Sequence, residues 1–331
     1  MPSAAEVCSG VRKLIIQIPC YNEEAVLGTT LDALPREVPG FDLVEYLVID
    51  DGSTDRTAEV AREHGAHHVV HFAINRGLAQ AFMMGLNTAV LHDADVIVNT
   101  DADNQYHAGD IPKLVAPILA GEAEIVVGER PISEIGHWSP LKKILQKAGS
   151  WVVRLASRTR VADAPSGFRA FSREAAMRIN VFDSYTYTLE TIIQAGRKNM
   201  AIVSVPVRVN GETRPSRLIS SVPAYLRRST FTIVRIFMTY RPFRFFTLLA
   251  LLCFITGIVP AARFLYLFSE GRGAGNVQSL IFSGLFISAG FVFFVSGLLA
   301  DLIGVNRQLL EDIRWRVRQL EDEIIRLRNR R

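Results

Sequence analysis

Between residues 12 and about 210, short apolar runs of strand length alternate with stretches of helical periodicity, and this alternation constrains the fold more than any other feature of the chain. The strand candidates are Lys13–Ile18, Leu43–Ile49, His68–Phe72, Asp95–Asn99, Ile125–Gly128 and Ile202–Val207. Helical patterns fall between them at Glu24–Leu34, Asp55–His64, Gly77–Leu91, Ile111–Ala120 and Leu141–Ala156. Strands apolar on both sides must be covered on both faces, so the expected class is α/β with a mostly parallel sheet under helices. No internal repeat or low-complexity stretch interrupts the pattern.

The strands end in polar groups that a sheet alone does not need. The first runs into Pro19-Cys20-Tyr21-Asn22-Glu23-Glu24, and the second into Asp50-Asp51-Gly52-Ser53-Thr54-Asp55. In a parallel α/β sheet both lie at the carboxyl edge, where ligands bind. Asp50, Ser53 and Asp55 can also cap the next helix, but two adjacent aspartates at a strand end are costly to leave unpaired, which favours a ligand role. The fourth strand ends in Asp101-Ala102-Asp103-Asn104-Gln105. If the backbone stays extended, residues two apart share a side, and Asp101, Asp103 and Gln105 present hard oxygens to Mg²⁺ or Mn²⁺. Asn75-Arg76-Gly77 opens a helix at the same edge, with Gly77 allowing close backbone approach. His64, His67, His68 and His71 straddle a helix end and a strand and read as surface and loop residues rather than a metal cluster. Cys8, Cys20 and Cys253 have no short spacing, which excludes a disulfide scaffold and a paired-cysteine zinc site and fits a reducing compartment.

Beyond residue 243 the composition shifts, in keeping with a mean hydropathy of +0.20. Phe243–Phe268 is nearly continuous apolar sequence broken by Pro260 and Arg263, and Val277–Ala300 carries no charge. Each reaches the roughly 20 residues that a spanning helix needs. Arginines crowd the flanks, Arg227, Arg228, Arg235, Arg241 and Arg244 before and Arg307, Arg314, Arg316 and Arg318 after, while Ser269–Asn276 is almost neutral. The positive-inside rule then puts both termini and the first domain in the cytoplasm. The resulting expectation is an integral membrane protein, of a bacterial plasma membrane rather than the endoplasmic reticulum. The net charge of +4 is juxtamembrane, which points to anionic lipid and away from nucleic acid. Ser220–Tyr240 reads as an interfacial helix. The expected order is a cytoplasmic α/β domain over 1–215, an amphipathic region over 216–242, transmembrane helices over 243–268 and 277–303 joined by an external loop over 269–276, and a cytoplasmic helix over 304–331.

With these motifs in place, the chain resembles the family-2, inverting, GT-A-fold glycosyltransferases, and within them the polyprenyl-phosphate branch. The resemblance rests on Pro19-Cys20-Tyr21-Asn22-Glu23, Asp50-Asp51-Gly52-Ser53, Asn75-Arg76-Gly77, Asp101-Ala102-Asp103-Asn104-Gln105, Gly128-Glu129-Arg130, Ser166-Gly167-Phe168-Arg169 and Arg214-Pro215-Ser216-Arg217-Leu218. It implies a Rossmann-like GT-A domain that moves a sugar from a UDP- or GDP-linked donor to a polyprenyl phosphate. Pro19, Tyr21, Glu23, Asp50, Asp51, Asn75, Gly77 and Asp101 are then expected at the nucleotide sugar, and Asp101, Asp103 and Gln105 at a Mg²⁺ or Mn²⁺ ion. Arg130, Ser166, Arg169 and Arg217 are expected at the acceptor phosphate. Some relatives carry Arg where this chain has Ala162, and Arg160 or Arg169 is expected to substitute.

The catalytic set implied is Asp103, Arg130 and Asp163. A lipid phosphate is already ionised at neutral pH, so positioning arginines matter more than a strong base. Asp163 is expected to orient the acceptor, act as a base or cap a loop; Glu190 either faces the sugar or is a first-turn acid favoured by the helix dipole. A processive polysaccharide synthase is the rival enzyme class, but its Gln-x-x-Arg-Trp motif is missing: Arg314-Trp315 has Glu311 in the Gln position. A non-catalytic nucleotide-sugar-binding scaffold would be expected to have lost carboxylates that are present here.

Leu310, Ile313, Val317, Leu320, Ile324 and Leu327 recur at alternating spacings of three and four. Placed at a and d, they predict a parallel coiled coil, with Arg316 facing Glu321 and Glu323 facing Arg328 of a partner. The chain is therefore expected to be a homo-oligomer, a dimer or a dimer of dimers, through this helix and the transmembrane helices.

Overall fold

Strand β1 (Lys13–Cys20) is buried at every position after Lys13 and lies in the interior of the sheet. It pairs in parallel with β2 (Leu43–Asp50) on one side and β4 (Val96–Asn99) on the other. The computed structural model describes residues 11–131, 159, 161, 163–181, 187–210, 234–235, 238, 241–271 and 277–329. With β3 (His68–His71), β5 (Ile125–Glu129), β6 (Arg169–Ser172) and β7 (Ile202–Pro206), the sheet order is β3-β2-β1-β4-β6-β5-β7. All the strands expected from the apolar runs are present, with ends shifted by a residue or two. β6 is the addition. It lies between β4 and β5, antiparallel to both, and so seats the Ser166–Arg169 motif in the middle of the sheet edge.

The helices α1 (Leu27–Ala33), α2 (Thr57–Glu63), α3 (Leu78–Leu91) and α4 (Ile111–Leu119) follow the expected positions. α5 (Arg173–Arg178) and α6 (Tyr187–Arg197) follow β6. α5 begins where the Ser172 hydroxyl accepts the Ala175 N–H at 3.1 Å. Leu14, Ile16 and Ile18 pack with Leu27, Leu31, Ile111 and Leu114 in one buried cluster. Each such side chain contributes about 1.5–3 kcal/mol of burial. Gln17 is the polar exception in β1. Its amide donates to Asn99 Oδ1 at 2.8 Å, and Asn99 Nδ2 in turn donates to the Gly167 carbonyl at 2.8 Å and the Tyr187 hydroxyl at 3.0 Å. This buried relay ties the sheet interior to the strand-end loops, where a half-satisfied network would be costly.

The chain divides into two compact units, Met1–Leu218 with Trp315–Arg331, and Ile219–Arg314. The second holds α7 (Pro242–Ser269) and most of α8 (Val277–Asn329), which continues unbroken through the heptad segment. α7 and α8 run antiparallel, since Gly257 lies against Ile287 and Ser283 whereas Gly290 lies against Phe254 and Gly297 against Phe246. A methyl on Gly257 would come 2.8 Å from Ile287 Cγ1, so small residues set this close approach. Both helices are long and apolar enough to cross a bilayer by length and composition, and their most apolar stretches are 11% buried. The expected helix at Leu141–Ala156 and most of the expected interfacial helix at Ser220–Tyr240 lie outside the described residues, as do Arg160, Ala162 and Arg217.

Candidate active site

The carboxyl ends of β1 and β2 are laced together before either following helix begins. Asn22, at φ 53°, offers its N–H to Ser53 Oγ at 2.9 Å, and its side chain accepts the Thr54 N–H at 2.9 Å. The Glu23 N–H meets Thr57 Oγ1 at 2.9 Å, and Glu24 Oε2 accepts the Arg56 N–H at 3.0 Å. These bonds hold the two loops in place and account for α1 and α2 starting later than the helical pattern alone suggests. Tyr21 is left exposed at the edge, while Glu23 is buried.

Asp50 and Asp51 have divided duties. Asp50 is 1% exposed; one oxygen accepts the Ser53 N–H at 2.9 Å and the other lies 2.8 Å from His71 Nδ1. His71 is the register partner of Asp50 across β2 and β3. The two Asp51 oxygens accept the backbone N–H groups of Arg76 and Gly77, at 2.7 and 2.9 Å. Asp51 therefore fixes the Asn75-Arg76-Gly77 loop against the Asp50-Asp51-Gly52-Ser53 turn. Gly52, at φ 72°, allows that contact: a Cβ there would lie 2.5 Å from the Ile74 carbonyl carbon. The other histidines have separate partners, His64 with Asp32 at 3.0 Å and His68 with Glu45 at 2.9 Å, while His67 accepts the Tyr46 N–H at 3.0 Å. Among the described residues no group of three or more His, Cys, Asp or Glu side chains converges as a metal site.

β4 stops at Asn99, so Asp101–Gln105 is a turn and not the extended segment assumed from alternation. Asn104 adopts φ 54°, and Asp103 Oδ1 accepts the Gln105 N–H at 3.3 Å. Asn210 clamps the turn from outside, its N–H on the Gln105 carbonyl at 2.8 Å and its amide on the Asn104 carbonyl at 2.9 Å. Asp101 is half-buried with its carboxylate against Gly167. Burial first, and then the Asp103 carboxylate, push its pKa up from 3.8 to about 7, against the opposing pull of Arg130 and Arg169. Two carboxylates forced together in one turn are a donor set for a hard divalent cation.

The third part is an ion pair. Arg130 Nε and Nη2 donate to the two oxygens of Asp163 at 2.6 and 3.0 Å, with Asp163 fully buried. Burial pulls the Arg130 pKa down, but the fork-to-fork bonds to Asp163 and the Asp163 and Asp101 carboxylates outweigh it and hold the guanidinium protonated. Both Asp163 oxygens are thus engaged by Arg130, which fixes the guanidinium in place.

Arg169, expected at the acceptor phosphate, turns inward instead. It is fully buried, with Nε on the Ser166 carbonyl at 2.8 Å, Nη2 on the Ala164 carbonyl at 2.6 Å and Nη1 on the Thr188 carbonyl at 2.8 Å. Desolvation lowers its pKa to about 10. Three backbone carbonyls that would otherwise be orphaned explain its place, so its role is structural. Ser166 is likewise fully buried, and the Gly167 N–H donates to the Tyr106 hydroxyl at 3.0 Å. Glu190 is buried and accepts from Gln194 Nε2 at 3.3 Å. His71 and Tyr106 are the site neighbours that the motifs did not single out; strand register and ring stacking on Phe168, respectively, place them.

Residues 15–182, just over half of the chain, match the model of glycosyl transferase family 2. The chain belongs to that family. It is a glycosyltransferase, and its sheet is the GT-A arrangement that the resemblance implied. An uncharacterised glycosyltransferase of Mycobacterium tuberculosis is 34% identical over 208 residues, 61% of this chain and 88% of that one. The undecaprenyl-phosphate mannosyltransferase of Micrococcus luteus is 29% identical over 218 residues, 62% of this chain and 88% of that one. Among solved structures, glucosyl-3-phosphoglycerate synthase from Mycobacterium tuberculosis, in complex with Mn²⁺, UDP and glucosyl-3-phosphoglycerate, superposes with a TM-score of 0.53. It is 23% identical, and the match covers 69% of this chain and 80% of that one.

This likeness corrects the expected placement of the chain as an integral plasma-membrane protein with a cytoplasmic catalytic domain. The fold is shared with a synthase whose structure holds a small, charged, water-soluble product, so the domain itself does not call for a bilayer. Both apolar helices have the length and composition that a bilayer-crossing helix shares with a long buried one. Apolar helix surface is covered by protein as readily as by lipid.

The shifted Asp101 makes stability depend on pH in a defined direction. Its folded pKa, about 7, lies above the unfolded value, so its contribution favours the fold below pH 4 and is lost as pH rises through 7. Metal-free protein is expected to lose about 1 kcal/mol, or 2–4 °C of melting temperature, from this group between pH 6 and 8. Mn²⁺ should raise the melting temperature more at pH 8 than at pH 6, because it binds the ionised form. Thermal shift at the two pH values, with and without Mn²⁺, checks both signs; equal stabilisation at both would show that Asp101 is not a ligand.

Proposed function

We propose that this enzyme transfers a sugar, with inversion, from a UDP- or GDP-linked donor to a polyprenyl phosphate of the undecaprenyl or dolichyl type. The observation that carries the reading is the Arg130–Asp163 pair beside the Asp101–Asp103 turn: a fixed, permanently charged guanidinium next to a carboxylate pair. That arrangement suits two phosphate-bearing partners meeting at one point. The likeness to an undecaprenyl-phosphate mannosyltransferase supports the choice of acceptor.

Asp101 and Asp103, with Gln105 following, are the side chains that would hold Mg²⁺ or Mn²⁺, which when bound neutralises the departing diphosphate. Pro19, Tyr21, Glu23 and Asp50 line the edge where the nucleotide sits, and Asp51 keeps the Asn75–Gly77 loop close to it. Arg130 orients the acceptor's phosphate oxygen toward the anomeric carbon. That oxygen forms the new bond as the bond to the diphosphate breaks, and the electron pair leaves with the nucleoside diphosphate. The acceptor is already ionised, so no proton need be removed, in keeping with an Asp163 committed to Arg130.

The test offers purified full-length protein a panel of radiolabelled nucleotide sugars with Mn²⁺, and either polyprenyl phosphate or 3-phosphoglycerate as acceptor. Label in the lipid fraction is expected; label only in 3-phosphoglycerate would overturn the acceptor assignment. Arg130→Lys should lower kcat at least about 100-fold while leaving donor affinity within about threefold. The lysine variant avoids stranding Asp163 without a cation, which would cost about 3–5 kcal/mol. Loss of donor binding with an unchanged acceptor response would place Arg130 in the wrong subsite.

A further inference from the structure

The heptad pattern continues upstream of Leu310 along the same helix. Leu299 and Asn306 take d positions and Ile303 an a position, so the seam reads Leu299, Ile303, Asn306, Leu310, Ile313, Val317, Leu320, Ile324, Leu327. Its apolar members from Leu299 to Ile324 are between 47% and 68% exposed, and Asn306 is exposed too. The opposite face is engaged within the chain. Trp315, at f, has the Arg178 guanidinium 5.4 Å from its ring centroid, and Arg318, at b, donates to the Met177 carbonyl at 3.1 Å. The helix end is thus fastened to α5 by its b and f positions, while Val317, Leu320 and Ile324, at a and d, stay exposed.

We propose that this seam is the dimer interface: two copies of the chain pair through Leu299–Leu327 as a parallel, in-register coiled coil. A second copy is the occupant that the residues specify. Ile303, Val317 and Ile324 give three β-branched a positions, and Leu299, Leu320 and Leu327 give leucine at d, the combination that favours two parallel strands. Arg316 at g meets Glu321 at e of the partner, Glu323 at g meets Arg328, and no like-charged pair is created. Asn306 decides orientation. In a parallel pair it faces the other Asn306 and the two amides bond; in an antiparallel pair it would face an apolar a position and be stranded. About four heptads is enough length for such a pair, where the Leu310–Leu327 stretch alone is marginal.

The test uses the full-length chain in mild detergent, with Cys8 and Cys253 replaced by serine. Asn306→Cys should form a reducible dimer on mild oxidation, while Asp312→Cys, at the outward c position, should cross-link at least tenfold less. The wild-type mass by light scattering should be two chains or a multiple of two. Val317→Glu with Leu320→Glu should give one chain per particle with the far-ultraviolet dichroism retained. A one-chain mass for the wild type, equal cross-linking at 306 and 312, or an unchanged mass in the double variant would overturn the proposal.

Discussion

Asp103→Asn is expected to reduce transfer at least a thousandfold, about 4 kcal/mol in barrier height, while raising the stability of the metal-free protein. Both effects come from one carboxylate. After burial, which contributes most, the Asp103 carboxylate is the largest influence pushing the Asp101 pKa up to about 7. Without it, Asp101 ionises at lower pH, and the repulsion stored in the turn at pH 8 is relieved. The same substitution removes an anionic ligand for Mg²⁺ or Mn²⁺, so the charge that builds on the departing diphosphate goes unmatched. Chelator should reproduce the loss in wild-type protein, reversibly on adding Mn²⁺. The opposite signs make the experiment decisive: a variant that is inactive because it is misfolded would melt earlier, whereas this one should melt later at pH 8. Near-normal transfer by Asp103→Asn in chelator would remove the carboxylate pair from the chemistry. Sites that concentrate like charge for a ligand are locally unstable without it, which is the usual tension between activity and stability.

The strand ends were legible because apolar runs of β-branched residues stop abruptly at Asp50 and Asn99, and a parallel sheet sends such ends to one edge. What could not be read was anything set by pairing at long range. β6 is four residues, Arg-Ala-Phe-Ser, with no alternation to mark it, and its pairing with β5 and β4 spans 42 to 76 positions. Its burial turns Arg169 inward: an arginine bound to three carbonyls looks, as a letter in a motif, like one awaiting a phosphate. Asp50 and His71 are a similar case, since their contact depends on the register of β2 with β3. The Asp101–Gln105 spacing was read as extended backbone, a geometry the chain does not adopt there. A turn clamped by Asn210 brings those residues together, and that clamp comes from beyond β7.

Gly167→Ala is expected to lower transfer at least about 100-fold at a stability cost below about 2 kcal/mol. The backbone at Gly167 is not left-handed, so alanine introduces no conformational strain. Space is what the glycine provides. A Cβ would come 2.8 and 2.9 Å from the two Asp101 oxygens and 3.0 Å from the Tyr187 hydroxyl. The peptide cannot back away easily, because its carbonyl accepts from Asn99 and its N–H donates to Tyr106. Tyr187 is stacked on Phe82 at 4.0 Å and is fixed as well. The movable group is the Asp101 carboxylate, which swings about χ1 and leaves the position it shares with Asp103. An ångström of displacement there separates the cation site from Arg130, and catalysis that rests on positioning is lost without unfolding. The expected signature is a melting temperature within a few degrees of wild type, a weakened Mn²⁺-induced shift and a collapsed kcat. A variant with wild-type kcat would show that Asp101 tolerates displacement, and that the glycine reflects packing against Tyr187 alone.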